Sequence, residues 1–238
     1  MPLILDRGDT QVDHVAIGVP DTKQGVEEIA NRLGVTPRLV EPEPDQFYWS
    51  GSVPLGAGNF LEILGPNPTY QRFNPFIEMV KQLERPQPLF WYVATDDFAT
   101  LQDAAKRAGT PVERVENITH DSLGVHTDYT RGYLGPGFLS VSPNVIQWRS
   151  RSEKMTAGDG VTLLSLELQH PEAERLNAAF KELGIRQQVQ TGPHKIAVTL
   201  GTPNGEATFA GDGLEVRGLG AMIKLVKLYT RWRFATGA

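Results

Sequence analysis

The chain has 238 residues, of which 40% are hydrophobic and 21% are charged, which is ordinary for one globular domain or two closely packed modules. It contains no cysteine, which excludes disulfides, thiolate metal sites and a cysteine nucleophile. The net charge of −5 argues against a nucleic-acid partner, because such proteins carry a basic surplus that neutralises phosphates. The opening residues do not read as a signal peptide and there is no run of about 18 apolar residues, so we expect a soluble, cytoplasmic protein without a membrane partner.

Two short segments are predicted strands, and each carries one side chain that could bind a metal. In residues 12–21, β-branched and large apolar residues alternate with smaller or polar ones, and His14 lies on the opposite face from Val15. In residues 59–66 the same alternation places Glu62 opposite Leu61. Imidazole and carboxylate both bind divalent metals, so His14 and Glu62 form the strongest candidate pair. The alternative is a buried histidine that is hydrogen-bonded to a carboxylate and has no chemical role.

The order strand, helix, glycine occurs three times at a spacing of roughly 75 residues, which indicates repeated supersecondary units. The first copy spans residues 12–64 and reads as βαβββ, with a helix that ends at Gly34. The second copy spans residues 88–148, and its helix ends at Gly109. The third copy, within residues 160–213, has a strand, a helix and two further strands, so it predicts a partial module.

Several features of the first copy together resemble a known family. They are His14 near the start of the first strand, the Pro20-Asp21 pair after it, the helix end at Leu33-Gly34, and the run FLEILGP at residues 60–66. This combination resembles the glyoxalase-like members of the vicinal oxygen chelate superfamily. The resemblance implies an α+β fold in which paired βαβββ modules form a curved mixed sheet, often around a divalent metal.

The resemblance and the repeats together predict three regions. Residues 10–150 would form a glyoxalase-like domain of two modules at about 12–64 and 88–148. Residues 160–213 would add a partial βαββ module, and residues 217–234 would form a C-terminal helix.

The resemblance also implies a set of metal ligands, drawn from two places in each module. Here the first module supplies His14 and Glu62, while the second supplies Gln147 and, at the fourth place, Phe90, which cannot bind a metal. We expect His14, Glu62 and Gln147 to hold a Zn, Fe, Mn, Ni or Co ion, or no metal if the lost ligand has made the site degenerate. His126 is the candidate that compensates for the lost ligand, and Glu62 or His126 is the candidate catalytic base.

Aromatic side chains and one arginine make up the predicted substrate site. Phe60, Phe90 and Tyr92 lie on predicted strands and indicate aromatic walls, although aromatic residues in small sheets commonly form plain core. Tyr129 and Arg131 precede a glycine-rich segment that is typical of an active-site lid, the alternative being a surface loop with an exposed arginine.

The expected function is that of a glyoxalase-like enzyme acting on a small oxygenated organic substrate. Its chemistry would be of the lyase, isomerase or dioxygenase type, with a divalent metal that stabilises an enolate or oxyanion. The first alternative is a non-catalytic protein of the same fold that binds a drug-like aromatic molecule without metal. The second is a partner-binding module that uses the basic residues at 217–233. His120 with Asp121 reads as a solvated pair in a turn, and a homodimer is left open.

Overall fold

The computed structural model describes residues 3–7, 11–43, 45–122, 125–135, 141–152, 158 and 160–211. Within these ranges the chain forms twelve strands and four helices. The strands are β1 (Val12–Gly18), β2 (Arg38–Val40), β3 (Tyr48–Gly56), β4 (Asn59–Pro66), β5 (Gln87–Ala94), β6 (Val112–Ser122), β7 (Val125–Leu134), β8 (Asn144–Ser150), β9 (Thr162–His170), β10 (Val189–Thr191), β11 (Lys195–Thr202) and β12 (Gly205–Gly211). The helices are α1 (Thr22–Leu33), α2 (Pro75–Val80), α3 (Phe98–Arg107) and α4 (Ala173–Leu183). The predicted C-terminal helix at 217–234 lies outside the described residues.

Eight strands form one curved mixed sheet in the order β2-β3-β4-β1-β5-β8-β7-β6. β1 pairs with β4 in parallel, and β3 lies antiparallel to both β4 and β2. β5 pairs with β8 in parallel, and β7 lies antiparallel to both β8 and β6, so the second half repeats the first. The halves meet at the antiparallel pair of β1 and β5. This arrangement confirms the predicted α+β fold of paired βαβββ modules and excludes a sheet built from successive parallel βαβ crossovers.

Matching aspartate caps start the long helix of each module. Asp21 accepts a hydrogen bond from the backbone N–H of Gln24 at 2.8 Å, and Asp97 accepts one from Thr100 at 3.0 Å. Such bonds satisfy N–H groups that have no partner inside the helix. α1 ends at Gly34, whose φ of 69° is the left-handed conformation that glycine favours. These local signals align α1 with α3, and therefore β1 with β5.

The third copy forms a separate four-stranded sheet in the order β10-β9-β11-β12. It contains one strand more than expected, because β10 follows α4 and pairs in parallel with β9. β9 lies between β10 and β11, so the pairing differs from that of the first two modules. Phe180 of α4 packs edge-on against Trp91 of β5, with ring centroids 6.2 Å apart. The third copy therefore packs against the outer face of the large sheet.

The two faces of the large sheet have different surroundings. Val15 and Ile17 of β1 belong to the main core cluster, which also contains residues of the second sheet. The alternate residue Ala16 belongs to a smaller cluster inside the curve, to which α2 contributes Met79 and Val80. α2 therefore fills part of the concave face, and a cavity occupies the remainder. None of the described helices is long and apolar enough to cross a membrane.

Candidate active site

A cavity of about 410 Å³ lies on the concave face of the large sheet, and both modules contribute to its wall. A volume of this size suits a small organic molecule. The side chains that matter most for its chemistry are His14, Tyr48 and Glu62 from the first module and His120, Tyr129, Arg131 and Trp148 from the second.

Asp13, His14 and Glu62 form a line that ends in the cavity. His14 Nδ1 lies 2.7 Å from Asp13 Oδ1, and His14 Nε2 lies 3.7 Å from Glu62 Oε2. This confirms the expected approach of His14 to Glu62. The Asp13 side chain is fully buried, whereas 24% of the Glu62 side chain is exposed, and Glu62 lines the cavity. The carboxylate of Glu62 is thus the member of the line that meets a ligand.

A shift in strand register brings Asp13 to this line. β1 pairs with β5 at Val12 and again at His14, but the register shifts between them and leaves Asp13 without a partner on β5. Such a β-bulge places an extra residue in one strand and re-aims its side chain. Strict alternation puts Asp13 on the outer face with Val15, which is why sequence reasoning missed it. A charged side chain on a face that otherwise packs into the core was the available signal.

The imidazole of His14 is clamped between two aromatic rings from the neighbouring strands. Phe60 of β4 and Tyr92 of β5 are its cross-strand partners. The ring of Phe60 stacks on His14 at 4.5 Å with an interplanar angle of 17°, and that of Tyr92 stacks at 4.1 Å and 20°. Both faces of the imidazole are therefore covered. Only Nε2 is directed towards Glu62.

Asp13 joins β1 to parts of the chain that are distant in sequence. Its carboxylate accepts hydrogen bonds from Trp148 Nε1 at 3.2 Å and from Arg151 Nη1 at 3.1 Å, and it lies 3.5 Å from Arg7 Nη2. Burial acts to raise the pKa of Asp13, but the hydrogen bond and charge of His14, with Arg151 and Arg7, hold it below its usual value. An ionised Asp13 favours the tautomer of His14 in which Nδ1 carries the proton, so Nε2 is free to accept one.

Glu62 is set apart from ordinary surface carboxylates by its burial. Burial raises its pKa, and the nearby imidazole of His14 and the positive charge of Arg131 offset only part of that rise. A carboxylate with a raised pKa is a stronger base than an ordinary glutamate when it is ionised. Glu62 therefore has the properties of a general acid or base.

Three neutral phenols and the cation Arg131 form a further polar part of the cavity wall. Burial raises the pKa values of Tyr48, Tyr92 and Tyr129, so these hydroxyls stay protonated and can donate hydrogen bonds. Arg131 stays charged: burial acts to lower its pKa, but the hydrogen bond to the carboxylate of Glu116 acts to raise it, and the pKa remains above its usual value. Its Nε donates to Glu116 Oε2 at 2.8 Å.

The prediction of Gln147 as a third metal ligand is wrong, because its side chain does not lie beside His14 and Glu62. Its side-chain amide donates to the backbone carbonyl of Asp96, whereas its neighbours Ile146 and Trp148 line the cavity. The error is one of register. When α1 is aligned with α3, Ala16 of β1 corresponds to Tyr92 of β5. Ala16 pairs with Glu62 on the neighbouring strand and Tyr92 pairs with Asn144, so Asn144 is the counterpart of Glu62. Asn144 is fully buried and does not line the cavity.

The prediction that His126 serves as a metal ligand or catalytic base is also wrong, because His126 lies outside the cavity. Thr127, Tyr129 and Arg131 line the cavity, and alternation along β7 turns His126 to the other face, where it is exposed. His120, which we expected to be solvated, pairs with Thr127 across β6 and β7 and lines the cavity instead.

Four of the five predicted substrate residues line the cavity, and one does not. Phe60, Tyr92, Tyr129 and Arg131 are in its wall. Phe90 is only 5% exposed and belongs to the inner core cluster that α2 covers, so it supports the wall from behind.

The cavity has fewer metal-binding side chains than the divalent metal implied by the resemblance would need. His14 and Glu62 supply two donors, but their counterparts in the second module are Phe90, which has none, and the buried Asn144. Within the described part of the chain, no group of three or more His, Cys, Asp or Glu side chains could hold a metal ion. Catalytic zinc sites use three protein ligands. The residues present therefore do not fit the implied metal.

Comparisons with known proteins address the fold. A hypothetical protein from Staphylococcus aureus has a TM-score of 0.55 at 10% identity, over 84% of each chain. A variant of methylmalonyl-CoA epimerase from Streptomyces coelicolor has a TM-score of 0.43 at 17% identity, over 59% of this chain and 99% of that one. A mutant of 4-hydroxymandelate synthase from the same organism has a TM-score of 0.48 at 12% identity, over 88% of this chain and 62% of that one.

No curated protein matches the sequence. A family model described as a glyoxalase-like domain matches residues 12–184. That range contains both βαβββ modules, the cavity between them and the start of the third copy. The chain therefore belongs to the glyoxalase-like domain family.

Proposed function

We propose that this protein is an enzyme that moves a proton on a small oxygenated organic molecule, with Glu62 as the acid/base residue. The observation that supports this most is the line of three groups, in which Asp13 holds His14 at Nδ1 and Nε2 faces Glu62 at 3.7 Å. The lyase or isomerase type of reaction agrees with this arrangement. The proposed reaction uses no metal, because His14 and Glu62 supply two metal ligands rather than three.

The proposed reaction begins when Glu62 removes a proton from the carbon beside a carbonyl group. The electron pair of the broken C–H bond forms a C=C bond, and the carbonyl π electrons move to the oxygen, giving an enolate. The protonated phenols of Tyr48 and Tyr129 line the same cavity and can donate to that oxygen. Return of the proton from Glu62 to the same carbon exchanges its hydrogen. Where that carbon also bears a hydroxyl group, return of the proton to the former carbonyl carbon, with transfer of the hydroxyl proton to the enolate oxygen, moves the carbonyl group by one carbon and completes an isomerisation.

His14 and Asp13 act on Glu62 in this proposal rather than on the substrate. A small movement closes the 3.7 Å gap between His14 Nε2 and Glu62 Oε2, so His14 can take the proton from Glu62. The negative charge of Asp13 then stabilises the imidazolium. The stacked rings of Phe60 and Tyr92 keep the imidazole in the orientation that this transfer requires.

A second candidate is a binding protein that holds an aromatic molecule without chemistry. The observation that favours it is the aromatic wall of Phe60, Tyr92, Tyr129 and Trp148. Aromatic walls of this kind stack on flat ligands whether or not a reaction follows.

An isotope-exchange experiment separates the two candidates. Pyruvate, acetone, phenylpyruvate and phenylacetone are incubated with the protein in heavy water, and NMR follows loss of the C–H signals next to the carbonyl. We expect the wild type to accelerate exchange for at least one compound and Glu62→Gln to lose this acceleration. Glu41→Gln at the cavity wall is the matched control and should keep it. Binding without exchange in the wild type would favour the second candidate.

A further inference from the structure

Within the described ranges, the guanidinium of Arg131 has N–H donors that no protein group accepts from. Arg131 lies on the cavity wall, and its Nε donates to Glu116 Oε2 at 2.8 Å. Among the residues that the structure describes, Glu116 is the only acceptor bonded to Arg131, and it engages Nε alone. The two Nη groups therefore carry four N–H donors that remain available to a molecule in the cavity.

The strand pairing fixes this guanidinium in place. Glu116 of β6 is the cross-strand partner of Arg131, directly after a register shift between Glu113 and Glu116. Arg114 lies within that shift and has a φ of 48°, the left-handed conformation that a non-glycine residue rarely adopts. The irregularity is thus located at the point where Glu116 meets Arg131. Side chains that function in binding are commonly re-aimed by such bulges.

The carboxylate of Glu116 has several partners. Glu116 accepts from Arg131 with Oε2 and from Arg114 Nε with Oε1 at 3.2 Å, and the hydroxyl of Tyr133 donates to Oε2 at 3.3 Å. One carboxylate is therefore shared by two cations. The Nη atoms of Arg131 remain the place where a negatively charged ligand group could accept two parallel hydrogen bonds.

We propose that Arg131 is the anchor for a carboxylate, so that the ligand class of the cavity is a small, flat organic monocarboxylate. The planar fork of the two Nη groups matches the two oxygens of a carboxylate. The body of the ligand lies along Tyr129 and Trp148, whose ring centroids are 4.9 Å apart. Arg131 is on β7 of the second module and Glu62 is on β4 of the first, so one molecule can meet both from opposite modules. The inference names the substrate class of the proposed function, but carboxylate binding itself does not require Glu62 to react.

Benzoate and benzamide test the anchor without any reaction. They have nearly the same shape, only benzoate is charged at pH 7, and neither has a hydrogen on the carbon beside the carbonyl. Calorimetric titration of the wild type should show benzoate binding about 10- to 100-fold more tightly than benzamide, which is the range for hydrogen bonds to charged groups. Equal affinities for the two compounds, or no benzoate binding at about 10 mM, would overturn the inference.

Three variants test whether Arg131 is the cation that gives benzoate its higher affinity. Arg131→Gln should abolish the preference for benzoate. Arg131→Lys keeps a cation beside Glu116, and should keep the fold, but cannot offer two parallel donors, so benzoate affinity should fall about tenfold. Arg38→Gln removes another cation of the same cavity wall and should change benzoate affinity by less than about twofold. Wild-type affinity in either Arg131 variant, or an equal loss in Arg38→Gln, would contradict the assignment.

The two proposals fail in different ways. If benzoate binding depends on Arg131 but no carbonyl compound exchanges its hydrogen, the carboxylate anchor stands and the proton-transfer function fails. If exchange depends on Glu62 but benzoate and benzamide bind equally, the function stands and the anchor fails.

Discussion

Replacement of Asp13 by asparagine would show what the fully buried carboxylate contributes to stability and to the reaction. The change keeps the volume of the side chain but removes its charge, while Arg7 and Arg151 remain beside it with only 15% and 14% of their side chains exposed. Breaking a buried ion pair from one side costs about 3–5 kcal/mol, and the partial hydration of both arginines favours the lower end, about 3 kcal/mol. For a chain of this size that corresponds to a fall in melting temperature of about 6–12 °C.

The same substitution should impair the reaction by a separate route. The amide of asparagine can donate to His14 Nδ1, which favours the tautomer with the proton on Nε2, facing Glu62. Such a change of tautomer lowers the rate about 10⁴-fold in a serine protease, and we expect a loss of about 10²- to 10⁴-fold in hydrogen exchange here. Calorimetry gives the melting temperature, and NMR in heavy water gives the rate.

Asp128→Asn is the matched control for Asp13→Asn. Asp128 is also an aspartate paired with an arginine, Arg149, but it lies outside the cavity in a more exposed ion pair. The Asp128→Asn variant should therefore keep a melting temperature and a hydrogen-exchange rate close to those of the wild type. If Asp13→Asn behaved like Asp128→Asn in both measurements, the assigned role of Asp13 would be refuted.

Three further predictions follow from the same contacts. Because the pKa of Asp13 is lowered by folding, its stabilisation is present above the usual value of 3.8 and is lost as the pH falls through the folded value, so the unfolding free energies of the wild type and Asp13→Asn should converge in acid. Burial raises the pKa of Glu62 above 4.5, so its ionisation in the folded protein costs stability as the pH rises from 4.5 through the raised value. Glu62→Gln should therefore become more stable relative to the wild type over that range, as denaturant titration can measure. A chelator should leave the melting temperature of the wild type unchanged, since a fall would reveal an ion bound only to the folded state and would restore the metal-dependent reading.

The parts of the fold that could be predicted from sequence are those that depend on neighbouring residues. Asp21 and Asp97 cap helices through bonds to residues three positions away, and Gly34 ends a helix through its own backbone conformation. These signals were enough to place both modules and to bring His14 near Glu62. The pairing of the third copy was missed because the position of β10 beside β9 depends on contacts between distant segments.

The errors in the site have a single physical origin. Side chains on a strand alternate between faces, so an error of one residue moves a side chain from the cavity to the opposite face. The alignment that selects Gln147 lies three residues from Asn144, the counterpart of Glu62, and a shift by any odd number exchanges the two faces. The selection of His126 lies one residue from Thr127, which faces inward. Asp13 was missed for the same reason, because a β-bulge interrupts the alternation at that residue. Register shifts of this kind depend on the partner strand and leave no clear mark in one sequence.

The pH dependence of hydrogen exchange would show whether Glu62 exchanges a proton with the substrate. For the compound that exchanges fastest, kcat/KM reports the ionisation of the free enzyme. Below its raised pKa, Glu62 is protonated and cannot act as a base. We therefore expect kcat/KM to fall on the acid side with a midpoint above 4.5, and Glu62→Gln to lack the activity at every pH. A rate in Glu62→Gln equal to that of the wild type, with the same fall in acid, would refute the role of Glu62.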